Sequence, residues 1–544
     1  MALLFSFLMA MFVTMLLIPP LMRNAERWQV VDMPGERKVH GQAIPRIGGV
    51  AMVVGALIPI LVWLPMAREV SAFLIGAVII LGFGVWDDRA NLDYRVKFLG
   101  QALAVAVVIG YGEIMAKTLP LFADGSAPWL LAAPLTVFFL LGVTNAINLT
   151  DGLDGLAGGT AMLSIGAVAV LGFMSENVAV ILISLAVIGS ILGFLRFNTH
   201  PARVFMGDGG SQFLGYTAGV LAIMLTQNPN AALSPALPLL LLAWPLLDTA
   251  TVMFQRVRAR RSPFSPDKNH LHHRLLDLGF AHSEAVFIAY VVQSGFVLLA
   301  YYLRFESDLT VVGAFVAVCA MVVAAIYVPL GRGWRRPQAL GEHHGRPHLF
   351  GIALPDLTHH LALLSARATA LTLAVVVAAV CVLSAPVTDG VSLALFGLAA
   401  VLLAISVQRG GDELTWFERG ALYLLGALVV FVLQVASNVL TDFETAFDVY
   451  FILLAIAIVV GFRWSRQRRF EMTPLDFLVI FAAFAVPALP GAFLNQLQYS
   501  EFIAKLIVLF YSIELVLHES GVKPIHVRAC LSIAYLAFAV RGVL

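Results

Sequence analysis

Apolar runs of roughly twenty residues follow one another along almost the whole chain, separated by short polar connectors. Each run is long enough to cross about 30 Å of hydrocarbon as a helix, which satisfies its own backbone hydrogen bonds there. The pattern predicts an all-α polytopic membrane protein with about eighteen spans. About eleven precede residue 331, centred near residues 12, 57, 79, 107, 137, 165, 185, 219, 245, 293 and 319. About seven follow residue 367, centred near 378, 399, 429, 455, 482, 509 and 535. The segment between them is polar and rich in Gly, Arg and His. The expected division is a membrane domain over 1–330, a polar cytoplasmic linker over 331–367, and a second helical membrane region over 368–544. The first run, Ala2 to Leu21, lacks a basic start and ends in Pro19-Pro20, so it reads as a retained helix rather than a cleaved signal.

Composition agrees with this. The chain is 60% hydrophobic and 12% charged, about half the charge of a soluble domain. A net charge of +1 points to no partner, and no nucleic acid is expected. The placement of charge says more. Arg23, Arg27, Arg37, Lys38 and Arg46 fall in one loop, and alternation puts Arg89, Arg95, Lys97, Arg196, Arg203, Arg256 to Arg261, Lys268, Arg274, Arg332 to Arg336 and Arg463 to Arg469 on the same side. Basic loops stay in the cytoplasm, so the N-terminus is expected outside. Cys319, Cys381 and Cys530 all lie in apolar runs, with no metal spacing and no disulfide pattern.

Charged groups at the ends of spans need a reason. Asp87, Asp88, Asp151, Asp154 and Asp208 all fall there, on the predicted cytoplasmic face. Asp87 and Asp88 are adjacent and raise each other's cost of ionisation unless a cation intervenes; Lys97 follows in the same loop. In the next polar loop, helical spacing would place Asn145 with Asn148 and Asp151 with Asp154 on shared faces. This loop is not a calcium site, because Leu153 stands where an oxygen ligand is needed. The third loop runs from Asn198 to Ser211 and contains Gly207-Asp208-Gly209-Gly210. Helix-start amides flanked by glycines suit a phosphate, and Asp208 suits the Mg²⁺ that accompanies a diphosphate. A P-loop motif is absent. The fourth loop holds His270, His272 and His273 beside Lys268 and Arg274, where positive charge favours an anion over zinc. Arg46, just before Gly48-Gly49 at the start of a span, is a further basic candidate.

These loops, in this order, closely resemble the polyprenyl-phosphate N-acetylhexosamine-1-phosphate transferase family. The matching stretches are Gly84 to Asp88 continuing through Lys97 to Gln101, Asn145 to Gly155, Asn198 to Ser211, and His270 to His273. The likeness covers about residues 1–330 and implies that family's helical bundle there. Residues 331–544 have no counterpart in its shorter members. The His-Leu-His-His form resembles the branch that uses UDP-GlcNAc or a related UDP-N-acetylhexosamine.

The resemblance implies that a lipid phosphate oxygen attacks the β-phosphorus of the UDP-sugar and that UMP leaves. Undecaprenyl phosphate is the expected acceptor, and the bacterial inner membrane, with the site facing the cytoplasm, the expected place. It implies Mg²⁺, with Mn²⁺ as a substitute, held by Asp208 with Asp151 and Asp154. Asp87, Asp88, Asp208 and Lys97 are the expected catalytic groups. Arg46, Asn145, Asn148, Asp151, Asp154, Asn198, His270, His272 and His273 are the expected substrate-binding groups. A homodimer, and glycan-assembly partners docking on the C-terminal region, are compatible with this reading. The rival is a polytopic transporter or a flippase for lipid-linked sugars, which would explain many spans but not four polar loops gathered on one face.

Overall fold

The computed structural model describes residues 2–32, 43–118, 127–227, 232–262, 269–336, 348–349, 352–353, 364–377, 397, 399–400, 416–435, 444–464, 499–519 and 524–541. Several sequence expectations lie outside them: Arg37, Lys38, Lys268, Cys381, most of the 331–367 linker, the span near 482, most of that near 399, and Arg466 to Arg469. The chain forms two compact units, Met1–Ala339 with Thr473–Leu478, and Leu340–Met472 with Val479–Leu544.

In the first unit the apolar runs become helices: α1 (Ala2–Asn24), α2 (Gly48–Trp63), α3 (Arg68–Ala90), α4 (Tyr94–Gly110), α5 (Trp129–Thr150), α6 (Leu156–Met174), α7 (Val178–Asn198), α8 (Gly207–Thr226), α9 (Leu237–Leu241), α10 (Ala243–Arg258), α11 (Leu271–Asp277), α12 (His282–Tyr302) and α13 (Asp308–Gly331). Among the described residues, seven helices are long and apolar enough to cross a membrane: α1, α3, α5, α6, α7, α12 and α13. Among its described residues the protein is an all-helical membrane protein, apart from two-residue antiparallel ribbons such as Val31–Asp32 with Ile44–Pro45.

Among the described residues of the first unit, some of the expected spans do not meet this length and apolarity, for identifiable reasons. α2 and α4 have only 16 and 17 residues. α8 is long, yet every residue from Gly209 to Thr226 is buried. It packs against α2, α3, α5 and α6, so it has no need of a lipid-compatible surface. Small residues allow this close packing: a Cβ on Gly210 would meet the Gly49 backbone, and one on Gly84 would meet Gly209.

The run expected to span near residue 245 is broken at Leu242 into α9 and α10. Breaks at membrane depth are tolerated where neighbours satisfy the freed backbone groups. Gln293 of α12 does this: its Oε1 accepts from the Trp244 N–H at 2.9 Å, and its Nε2 donates to the Leu241 carbonyl at 2.8 Å.

The second unit contains helices over Leu364–Val377, Trp416–Val435, Glu444–Trp464, Tyr499–Glu519 and Pro524–Arg541. Leu425, Val429, Leu531 and Phe538 share a buried cluster. The buried Arg528 Nε donates to Glu418 Oε1 at 2.6 Å, which neutralises two charges that would be costly alone.

Candidate active site

Four helix ends meet at one point. A left-handed residue, Asn91 (φ 48°), ends α3, and Asp93 caps α4 by accepting the Arg95 N–H at 2.9 Å. This tight connector lays α4 beside α3, so that Lys97 faces Asp87. Lys97 Nζ pairs with Asp87 Oδ2 and lies 3.4 Å from Asp208 Oδ2, at the start of α8. Asn148, in the last turn of α5, donates to Asp208 Oδ1 at 2.6 Å and lies 2.7 Å from Ser211 Oγ. Asp87 and Lys97 of one loop, Asn148 of the next and Asp208 of the third are therefore linked into one cluster through Lys97 and Asp208.

Asp88 has a different task. Its two carboxylate oxygens accept the N–H groups of Asp208 at 2.8 Å and Gly209 at 3.2 Å. An anion at a helix start is stabilised by the unpaired amides and the helix dipole. This corrects the expectation that a phosphate would take these amides: a carboxylate of the chain already does so. Gly207, in the left-handed region at φ 68°, makes room, since a Cβ there would strike the Asp88 carboxylate.

The expected shared helical face for Asp151 and Asp154 does not form, because α5 stops at Thr150 and residues 151–155 turn. Asp151 stays half-buried near the cluster. Burial, then the neighbouring Asp208, Asp88 and Asp154 carboxylates, push its carboxyl up to about 7, against a smaller opposing pull from Arg46. Asp154 instead faces two histidines: its Oδ2 lies 2.7 Å from His200 Nδ1 and accepts the Ala202 N–H at 3.1 Å, and its own N–H donates to His282 Nε2 at 2.9 Å.

Two asparagines expected to bind substrate are engaged within the chain. Asn198 is buried, with Oδ1 accepting the Gly155 N–H and Nδ2 donating to the Val204 carbonyl, each at 2.9 Å. It braces two site loops against each other. Asn145 donates at 2.7 Å to Gln101 Oε1, and Gln101 Nε2 in turn donates at 3.0 Å to Gln212, tying α4, α5 and α8 together beside the cluster. Arg46 pairs with Asp32 across the short ribbon, while the Gly48 and Gly49 amides donate to the Phe205 and Met206 carbonyls, each at 2.9 Å. The α2 start is thereby strapped to the loop that leads into α8.

The histidine loop is held by a residue the sequence reading overlooked. Asp248 of α10 is fully buried; its Oδ2 is 2.9 Å from His270 Nδ1, and its Oδ1 accepts the Leu271 N–H at 2.6 Å. His272 is buried with Nδ1 3.7 Å from the same Oδ2, and His273 packs against its ring.

The Asp208 carboxylate is touched by Lys97 Nζ and Asn148 Nδ2, and the Asp87 and Asp151 carboxylates interact with it. Burial and then the neighbouring carboxylates raise Asp151, and a hard divalent cation with oxygen ligands relieves such gathered negative charge. The carboxylates of this cluster suit a hard divalent cation. Among the described residues, the groups of three side chains whose ligand atoms gather tightly enough for a metal ion are Asp154–His200–His282 and Asp248–His270–His272, both with mixed nitrogen and oxygen donors.

The glycosyl transferase family 4 model matches residues 70–226, which run from the start of α3 to the end of α8. The chain is 35% identical over 289 residues to a probable undecaprenyl-phosphate N-acetylglucosaminyl 1-phosphate transferase of Bacillus subtilis (strain 168), spanning 53% of this chain and 81% of that protein. The chain belongs to glycosyl transferase family 4. Other relatives are the decaprenyl-phosphate N-acetylglucosaminephosphotransferase of Mycolicibacterium smegmatis, 35% identical over 49% of this chain and 73% of that one, and the undecaprenyl-phosphate alpha-N-acetylglucosaminyl 1-phosphate transferase of Escherichia coli (strain K12), 30% identical over 48% and 73%.

The family 4 window holds the whole carboxylate cluster, whereas Asp248, the histidine loop and His282 lie beyond it. Asp248 had a signal of its own. It is the lone acid in the apolar run from Ala231 to Phe254, and an ionisable group in such a run marks a function by default. His282 carried no comparable signal, since it opens α12 where polar residues are ordinary.

Proposed function

We propose that the protein transfers N-acetylglucosamine 1-phosphate from UDP-N-acetylglucosamine to undecaprenyl phosphate, making a lipid-linked diphosphate sugar and UMP. The observation that carries this is Lys97 held between Asp87 and Asp208, beside Asn148, in a chain whose relatives are named for this reaction. A transporter would more often hold its polar groups near the bilayer midplane. Here they gather at helix ends.

In the reaction a lipid phosphate oxygen bonds to the β-phosphorus as the bond from that phosphorus to the UMP oxygen breaks. One diphosphate linkage replaces another, so the transfer should be readily reversible. Asp208, with Asp151 beside it, would hold Mg²⁺ or Mn²⁺, which supplies charge neutralisation on the diphosphate. Lys97 adds a fixed positive charge. Asp87 orients Lys97, and Asp88 fixes the position of Asp208 by clamping the start of α8. Asn148 sets the rotamer of the Asp208 carboxylate. The acceptor phosphate, with a second pKa near 6, is already largely ionised at pH 7, so preorganised charge should contribute more than a general base.

The reading places the site at the cytoplasmic face of the bacterial inner membrane, where Arg89, Arg95, Arg196 and Arg203 flank it. The second unit is assigned a role outside the transfer step, in self-association or in docking glycan-assembly partners. Incubating the purified protein with Mg²⁺, undecaprenyl phosphate and a panel of radiolabelled UDP-sugars tests the function. Lipid-linked product from UDP-N-acetylglucosamine is expected. Product from none of the sugars would overturn the reading.

A further inference from the structure

Asp248 lies outside the carboxylate cluster, yet its bonding is too specific for a packing residue. It is fully buried, in the middle of a helix that the break at Leu242 sets apart from α9. An ionised carboxylate can only accept hydrogen bonds. One oxygen takes the Leu271 N–H at 2.6 Å, which fixes the backbone where α11 begins. The other lies 2.9 Å from His270 Nδ1. His270 must therefore carry a proton on Nδ1, which leaves Nε2 as its working end.

His272 completes the picture. It is only 1% exposed, and among the described residues neither of its ring nitrogens has a hydrogen-bond partner in the chain. Buried polar atoms without partners are rare and costly, and in native proteins they call for an explanation. The ring lies between two landmarks. Its Nδ1 end is 3.7 Å from Asp248 Oδ2. Its Nε2 end sits where a Cβ on Gly152 would be, next to Asp151. His270 stacks on it, with ring centroids 5.4 Å apart and planes within 20°.

We propose that Asp248 is a positioning residue for the transfer: it sets the tautomer of His270 and holds the His270–His272 stack against the Asp151–Gly152 turn, where the diphosphate binds. This rests on the functional reading above and adds to it a residue that touches no substrate. A buried acceptor that orients an imidazole is worth about 10–100-fold when it supports a site from behind, and an Asp-to-Asn change that reverses the tautomer costs more than the loss of a hydrogen bond alone.

The test compares wild type, Asp248→Asn, His270→Asn and the double variant in the sugar-phosphate transfer assay, with thermal unfolding in detergent and zinc content measured on the same samples. Asp248→Asn keeps the shape and can still accept the Leu271 N–H, but it presents an NH₂ to His270. Its kcat should fall about 10–100-fold, with KM for the UDP-sugar within about threefold and the unfolding midpoint within a few degrees of wild type. Because Asp248 acts through His270, the double variant should be no worse than the poorer single variant.

Fully multiplied losses in the double variant would overturn the proposal. So would an Asp248→Asn protein with wild-type kcat, or one whose loss is entirely accounted for by a smaller folded fraction. One tightly bound zinc per chain, lost in Asp248→Asn, would also overturn it, because His270 Nδ1 would then be a metal ligand rather than a donor. A wild type that transfers no sugar phosphate would instead overturn the functional reading, and this role with it; an active wild type with an equally active Asp248→Asn would remove only this role.

Discussion

The Asp88 carboxylate accepts the backbone N–H of Asp208 at 2.8 Å, so the residue that heads α8 is held by the residue near the end of α3. The second oxygen takes the Gly209 N–H. Asp88→Asn keeps one acceptor and turns a donor toward the other amide. Hydrogen bonds to charged groups contribute about 1.5–3 kcal/mol each, so the variant should unfold at a clearly lower temperature and lose turnover together with stability. Thermal unfolding in detergent measures this. An unchanged midpoint would show that the clamp is not needed to hold α8.

Gly207 makes the clamp possible. An Ala there has to adopt φ 68° and places a methyl against the Asp88 carboxylate. The backbone term alone is about 1–2 kcal/mol. Gly207→Ala should lower both the unfolding midpoint and turnover, whereas Gly82→Ala on α3, where nothing lies within 4 Å of the added carbon, should match wild type. Equal behaviour of the two variants would refute the steric argument.

Asp151 links pH to cation binding. Its carboxyl sits at about 7 in the fold, raised from 3.8 by burial and then by Asp208 and the other carboxylates. Between about pH 4 and 7 the folded chain therefore binds more protons here than the unfolded chain. By linkage, this group's contribution makes stability fall as pH rises through that window. A divalent cation favours the ionised form, so Mg²⁺ should raise the unfolding midpoint more at pH 7.5 than at pH 5.5. Asp151→Asn should reduce that difference. A Mg²⁺ effect of the same size at both pH values would exclude Asp151 as a ligand.

Asp87 pairs with Lys97 and accepts the Leu92 N–H at 2.8 Å. If it works by orienting that charge, Asp87→Asn should lose about 10²-fold in turnover with a pH–rate profile shaped like that of wild type. A steep gain in the variant's rate at high pH would assign Asp87 the role of a general base.

Much of the cluster was legible in the sequence because charges at the ends of apolar runs have few innocent explanations. Asp87, Lys97 and Asp208 could be picked out that way, and Asn148 by its helical spacing from Asn145, and they meet in the fold. What the pattern could not show was direction. Asp88 and Asp87 are neighbours in the chain, yet one turns to backbone amides and the other to Lys97. Asp154 turns to His200 and His282 because the chain leaves helical geometry at Asp151, and spacing arguments assume that geometry. Asn198 reads as a substrate ligand until both of its amide atoms are seen on backbone partners. The central place of α8 was hidden for a related reason: a helix enclosed by others needs small residues more than apolar ones. The break at Leu242 depends on Gln293, about fifty residues away along the chain, and no local pattern reports such a partner.

The most direct measurement is transfer of radiolabelled N-acetylglucosamine 1-phosphate from UDP-N-acetylglucosamine to undecaprenyl phosphate, run across a Mg²⁺ titration for wild type and Asp208→Asn. The account predicts Mg²⁺-dependent lipid product from wild type and none from Asp208→Asn at any Mg²⁺ concentration. Near-normal product from Asp208→Asn would contradict it.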